Sequence, residues 1–180
     1  MKKLLIPVFV FLFAMAIFVA GVFAAHVPKK TEQYFSQSGL LFQEDGTYTT
    51  CQVGLGGTSA KYLVGSKHPY FFTNEYSNRQ GLFLNGEKLA AKMLLGWYNE
   101  EAKYVTSEKN RIRFFVDRDF QTVVMILPDT GNGYQLAVAP AESESEAWAL
   151  VADLLQDTTL KFYCKEDWDL LERMLDTYGD

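Results

Sequence analysis

The chain has 180 residues, 48% of them hydrophobic and 15% aromatic, with 17 Lys+Arg against 22 Asp+Glu and a formal net charge of −5. That length and apolar content suit one ordinary domain with a sizeable core and exclude a disordered chain. The acidic balance argues against a nucleic-acid partner and against a polybasic hold on anionic lipid.

The first predicted element is apolar. Lys2 and Lys3 precede an uncharged run from Leu4 to Ala25 that closes in Gly21-Val22-Phe23-Ala24-Ala25. As a helix the run would rise roughly 33 Å, against a hydrocarbon core of about 30 Å. A positive start, a long apolar middle and a small-residue end read as a signal peptide cleaved near Ala24 or as an uncleaved signal anchor. The anchor would be a single transmembrane helix with its N-terminus inside and the body outside, and the membrane would then be a partner through this segment. Both readings place the body outside the cytoplasm, anchored to the cell envelope or secreted. A buried core helix fits poorly, because the run has no polar face.

Residues 26–37 (HVPKKTEQYFSQ) are polar without sustained periodicity and are expected to be a linker, leaving residues 38–180 as the extracytoplasmic domain. Within it, Gly39–Gln43 and Thr47–Val53 flank Glu44-Asp45-Gly46, a strong hairpin signal. Gly54–Gly57 reads as another turn, followed by a strand over Ala60–Val64. Pro69–Thr73 is short and aromatic. Gly81–Leu84 and Glu87–Leu94 surround Asn85-Gly86, a further turn, with a short helix over Leu89–Leu95 as the alternative for that stretch. Arg111–Val116, Gln121–Leu127 and Tyr134–Ala139 are rich in β-branched and aromatic residues and suggest an antiparallel meander.

After Pro140 the apolar period changes from two to near 3.6. Ser143 and Glu146 have the form of a capping box, and Trp148, Val151, Leu154 and Leu155 fall on one helical face. Leu160–Cys164 returns to strand. Glu166–Tyr178 forms a second amphipathic helix with Trp168, Leu171, Met174, Leu175 and Tyr178 on its apolar side, and Gly179 stops it. The expected class is α+β: a mostly antiparallel β-sheet packed on one face by two C-terminal amphipathic helices, preceded by an N-terminal hydrophobic export or anchor helix. The two cysteines, Cys51 and Cys164, are expected to form a disulfide in an exported chain.

The chemistry-bearing residues are sparse. In His68–Tyr76 (HPYFFTNEY), His68, Tyr70 and Tyr76 are candidate ligand contacts, since tyrosines offer broad area to a sugar or peptide at little conformational cost. An edge strand with its phenylalanines in the core explains the same residues. Cys51 with His68 is a conceivable nucleophile and base, but export disfavours a reduced thiol. Asp117 and Asp119, and Glu142, Glu144 and Glu146, read as solvated turns and a helix start. Gly54-Leu55-Gly56-Gly57 lacks a dinucleotide fingerprint, with Ser59 where the third glycine belongs. No cofactor, metal site or catalytic residue is expected.

The leading functional expectation is a non-catalytic binding or interaction module of the cell envelope, with an envelope protein or glycan as partner. The alternatives are a small extracytoplasmic hydrolase using carboxylates, or an accessory subunit of a membrane complex. A cleft with two facing carboxylates would favour the hydrolase, and a flat sheet face with exposed aromatics would favour binding.

Overall fold

The computed structural model describes residues 2–61, 70–74, 76–91, 93–96, 102–107, 112–117, 121–128, 133–156, 161 and 164–179. In chain order they form helix α1 (Lys2–His26), strands β1 (Lys29–Phe42), β2 (Tyr48–Lys61), β3 (Tyr70–Phe72), β4 (Gly81–Leu84), β5 (Glu87–Ala90), β6 (Leu94–Gly96), β7 (Ala102–Ser107), β8 (Ile112–Asp117), β9 (Val123–Pro128) and β10 (Tyr134–Ala139), then helices α2 (Glu144–Leu154) and α3 (Lys165–Tyr178). The fold is α+β: one curled antiparallel sheet with helices placed mostly at the C-terminal end.

The longest unit is the β1–β2 ribbon, paired from Lys29 opposite Lys61 to Phe42 opposite Tyr48. Its connection is the expected Asp-Gly turn, in which the Thr47 amide and hydroxyl both donate to Asp45 Oδ1, at 2.9 and 2.6 Å. Residues 29–37, expected to be a linker, form the first part of β1. Most of their side chains are exposed on both faces, so strand pairing rather than burial holds them and no period of two reaches the sequence. Gly54–Gly57 is likewise not a turn but the middle of β2. The second hairpin, β4–β5, closes through Asn85 and Gly86 with φ of 51° and 82°, the left-handed pair a two-residue turn requires. The stretch for which a short helix was the alternative forms parts of β5 and β6 instead.

The sheet order is β5-β4-β2-β1-β10-β9-β8-β7, with β3 pairing β2 beyond the end of β4, and β6 pairing β3. Adjacent strands lie about 4.8 Å apart, so β2 and β8, four places apart, would be separated by roughly 19 Å in a flat sheet. Yet Cys51, Val53 and Leu55 of β2 share one core with Phe114 and Val116 of β8 and Met125 of β9. The sheet therefore curls and closes an inner core between its two halves.

The outer face carries a second core. Leu40 and Phe42 of β1, Phe115 of β8, Val124 and Ile126 of β9, and Leu136 and Val138 of β10 are covered by Ala147, Trp148 and Val151 of α2 and Trp168, Leu171 and Met174 of α3. Helix α2 starts as its sequence suggests: Ser143 Oγ accepts from the Glu146 amide at 3.3 Å. The returning bond differs by one residue from a standard box, because Glu146 Oε2 accepts from the Glu142 amide at 2.8 Å. Buried Asp167 at the start of α3 pairs with Arg113 of β8 at 3.0 Å, and the Arg113 guanidinium lies over the Tyr134 ring of β10. At the other end of α3, the Tyr178 hydroxyl donates to Glu44 O at 2.9 Å and its ring stacks on Trp148. Both ends of α3 are thereby pinned to the sheet. Of the expected strand over Leu160–Cys164, Lys161 is helical and Cys164 is the N-cap of α3, while the other residues lie outside the described set.

Two expectations are corrected. No disulfide joins Cys51 and Cys164. Cys51 belongs to the inner core and Cys164 to the outer one, so the sheet itself stands between the two sulfurs. The transmembrane helix is corrected as well: among the described residues, no helix is long and apolar enough to cross a membrane.

Candidate functional site

His68 lies outside the described residues. The backbone of Tyr70 sits in β3 between Ala60 of β2 and Gly96 of β6, so β3 is not the edge strand expected of it. Phe71 enters the inner core as anticipated. Tyr76, 87% exposed, projects from a turn where its amide donates to Asn74 Oδ1. Glu142, Glu144 and Glu146 surround the start of α2, Asp117 ends β8, and Asp119 lies outside the described residues. Among the described residues no three His, Cys, Asp or Glu side chains gather as metal ligands. Cys51 is a poor nucleophile, because burial pushes its thiol up to about 11.

A different place has the shape of a site. On β1, helices α2 and α3 cover the outer face only where Leu40 and Phe42 stand; further back along β1 and across β2 and β4 neither helix covers it. Strand alternation puts Tyr34 and Ser36 of β1, Gln52, Gly54 and Gly56 of β2, and Phe83 of β4 on that face, with Phe35, Val53, Leu55 and Leu82 turned inward. Gly54 lies opposite Ser36 and Phe83, and Gly56 opposite Tyr34 and Gly81. Gly54, half-buried, leaves a floor without a side chain between the Tyr34 and Phe83 rings, while Gly56 is buried beneath the Arg79 carbonyl.

The resulting open groove has a volume of about 330 Å³, at the small end of ligand sites. Close approach explains the glycines. A Cβ at Gly54 would stand 3.3 Å from Phe83 Cβ, and one at Gly56 would run into the Arg79 carbonyl and stand 3.1 Å from the Tyr34 ring.

The walls are held in place. Tyr34, 52% exposed, donates its hydroxyl to Glu32 Oε2 at 3.0 Å. That bond raises the Tyr34 phenol above its ordinary value, helped by partial burial and the Glu32 charge and opposed by Gln80 and Arg79. Gln52 donates its side-chain amide to Ser36 Oγ at 3.0 Å across the floor. Lys88 extends over the Phe83 ring and donates to Ser77 O at 2.7 Å. The segment carrying Arg79 is anchored below by buried Gln80, whose Oε1 accepts from the Asn74 amide and whose Nε2 reaches Thr58 Oγ1.

The sequence does contain a signal for this site. Gly54-Leu55-Gly56 alternates glycine, leucine, glycine, which in a strand clears one face while burying the other. Read as a turn, it conceals the groove. The chain matches no protein-family model, no curated protein sequence and no solved structure.

Proposed function

We propose that the chain is a non-catalytic binding module that takes a carbohydrate in the groove between Tyr34 and Phe83. The observation that carries this reading is the half-buried Gly54 floor between two aromatic walls, Tyr34 and Phe83, on a sheet face that none of the described helices covers. A pyranose ring presents a face of C–H groups with partial positive charge, complementary to the negative face of an aromatic ring. Its hydroxyls find both donors and acceptors in Ser36 and Gln52. The bare floor lets the sugar lie close to the sheet without displacing a side chain. We further propose that the module works outside the cytoplasm, on the support of Lys2, Lys3 and the small-residue close around Val22 and Ala24.

Titration of the protein with chito- and cello-oligosaccharides, followed by calorimetry and by NMR of the aromatic resonances, tests the reading. Binding should perturb Tyr34 and Phe83. Phe83→Ala should weaken it about fivefold, since loss of one stacked ring removes roughly 1 kcal/mol. Gly54→Ser should also weaken binding by placing a side chain on the floor. Unchanged affinity in both folded variants would sink the proposal.

A further inference from the structure

The groove is electrically lopsided. Of the described residues that line it, Arg79 alone carries a formal charge. Arg79 is exposed, and among the described residues its guanidinium forms no ion pair. Its backbone is nevertheless fixed, since its amide donates to Ser77 Oγ at 3.3 Å and its carbonyl packs against Gly56. Lys88 adds a second positive charge beside Phe83. The nearby carboxylate, Glu32, is outside the lining set and engaged by the Tyr34 hydroxyl.

We propose that the sugar this groove selects carries a carboxylate, a uronic acid unit, held by the Arg79 guanidinium while its ring lies between Tyr34 and Phe83. The inference rests on the reading of the groove as a carbohydrate site and names the class of sugar. A guanidinium presents paired N–H donors in a planar fork that matches a carboxylate, and a cation on a positioned backbone lining an otherwise uncharged groove supplies that fork. The formal net charge of −5 means that the protein as a whole does not attract polyanions. Selectivity is therefore local, for one carboxylate at one position, rather than a general affinity for acidic polymers.

A matched pair of ligands isolates this contact: trigalacturonate and its fully methyl-esterified form, which keeps the rings and linkages but removes the charge. The full-length protein should bind the acid about tenfold more tightly than the ester, the order expected of one charge-assisted hydrogen-bonded contact. Arg79→Gln should abolish that preference, and an unaltered melting temperature would show that the fold is intact. Equal affinity of the wild-type protein for acid and ester, or a preference that survives Arg79→Gln, overturns the assignment and leaves the neutral-sugar reading standing. Failure of every oligosaccharide to bind overturns both. Tighter binding of triglycine than of trigalacturonate overturns the sugar in favour of a peptide carboxylate.

Discussion

Two thiols show how burial sets chemistry at the scale of single residues. Cys51 is pushed up to about 11 by burial, and Cys164 to about 12 by burial and by the Asp167 charge. An unfolded cysteine ionises near about 8.5, so between that value and the folded ones the native state holds protons that the unfolded state has released. The corresponding stability is fully present below about pH 8.5 and is lost as pH rises toward about 11 and beyond. The melting temperature should therefore fall more steeply above about pH 9 in the wild type than in a Cys51→Ala, Cys164→Ala double variant. At neutral pH both thiols should resist alkylation in the native protein, and both should label after unreduced denaturation. Fewer than two labelled thiols in the denatured, unreduced protein would contradict the placement of the cysteines in separate cores.

At the scale of elements, α3 shows how a helix whose sequence is only moderately apolar is made indispensable. Its buried stripe of Trp168, Leu171 and Met174 follows the spacing of one helical face, and Asp167 beside it is buried against Arg113. Trp168 satisfies its indole N–H within the helix, donating to Glu172 Oε1 at 2.8 Å, while Lys161 Nζ holds the same carboxylate at 2.8 and 3.2 Å. The contact with Lys161 comes first in holding the Glu172 carboxyl below its ordinary value. Trp168→Ala should destabilise the protein by roughly 3–5 kcal/mol, since it leaves a ring-sized cavity and strands a buried contact surface. Chemical denaturation reads the effect directly. A loss below about 1 kcal/mol would mean that α3 does not clamp the sheet.

For the whole molecule, a single curled sheet supports two cores on opposite faces, and the described helices cover only part of its outer face. The helices shield Leu40, Phe42, Phe115, Val124, Ile126, Leu136 and Val138, whereas Tyr34, Ser36, Gly54 and Phe83 stay exposed or half-buried. Truncation after Ala139 should expose the first set as one apolar patch. The truncated chain should then lose soluble expression or bind a hydrophobic dye strongly. A monomeric truncated chain with a dispersed NMR spectrum would show instead that the inner core suffices.

Local chemistry was legible in the sequence. Asp45-Gly46 and Asn85-Gly86 announce their turns because a hairpin turn is decided by a few adjacent residues, and Ser143 with Glu146 announces α2 for the same reason. The change of apolar period after Pro140 located both C-terminal helices, because a face buried against a sheet imposes its own spacing. What depends on distant partners was not legible. The first part of β1 reads as linker because its side chains are exposed on both faces, and only the register with β2 makes it a strand. The glycines of β2 read as a turn because their meaning lies in what stands beside them, Phe83 and Tyr34, brought there by two further strands. The cysteines read as a bridge because an expected compartment says nothing about which face of the sheet each thiol occupies. Curling the sheet placed Cys51 in the inner core, and the start of α3 packs Cys164 into the outer one. Contacts between residues far apart in the chain decided these features, and no local pattern encodes them.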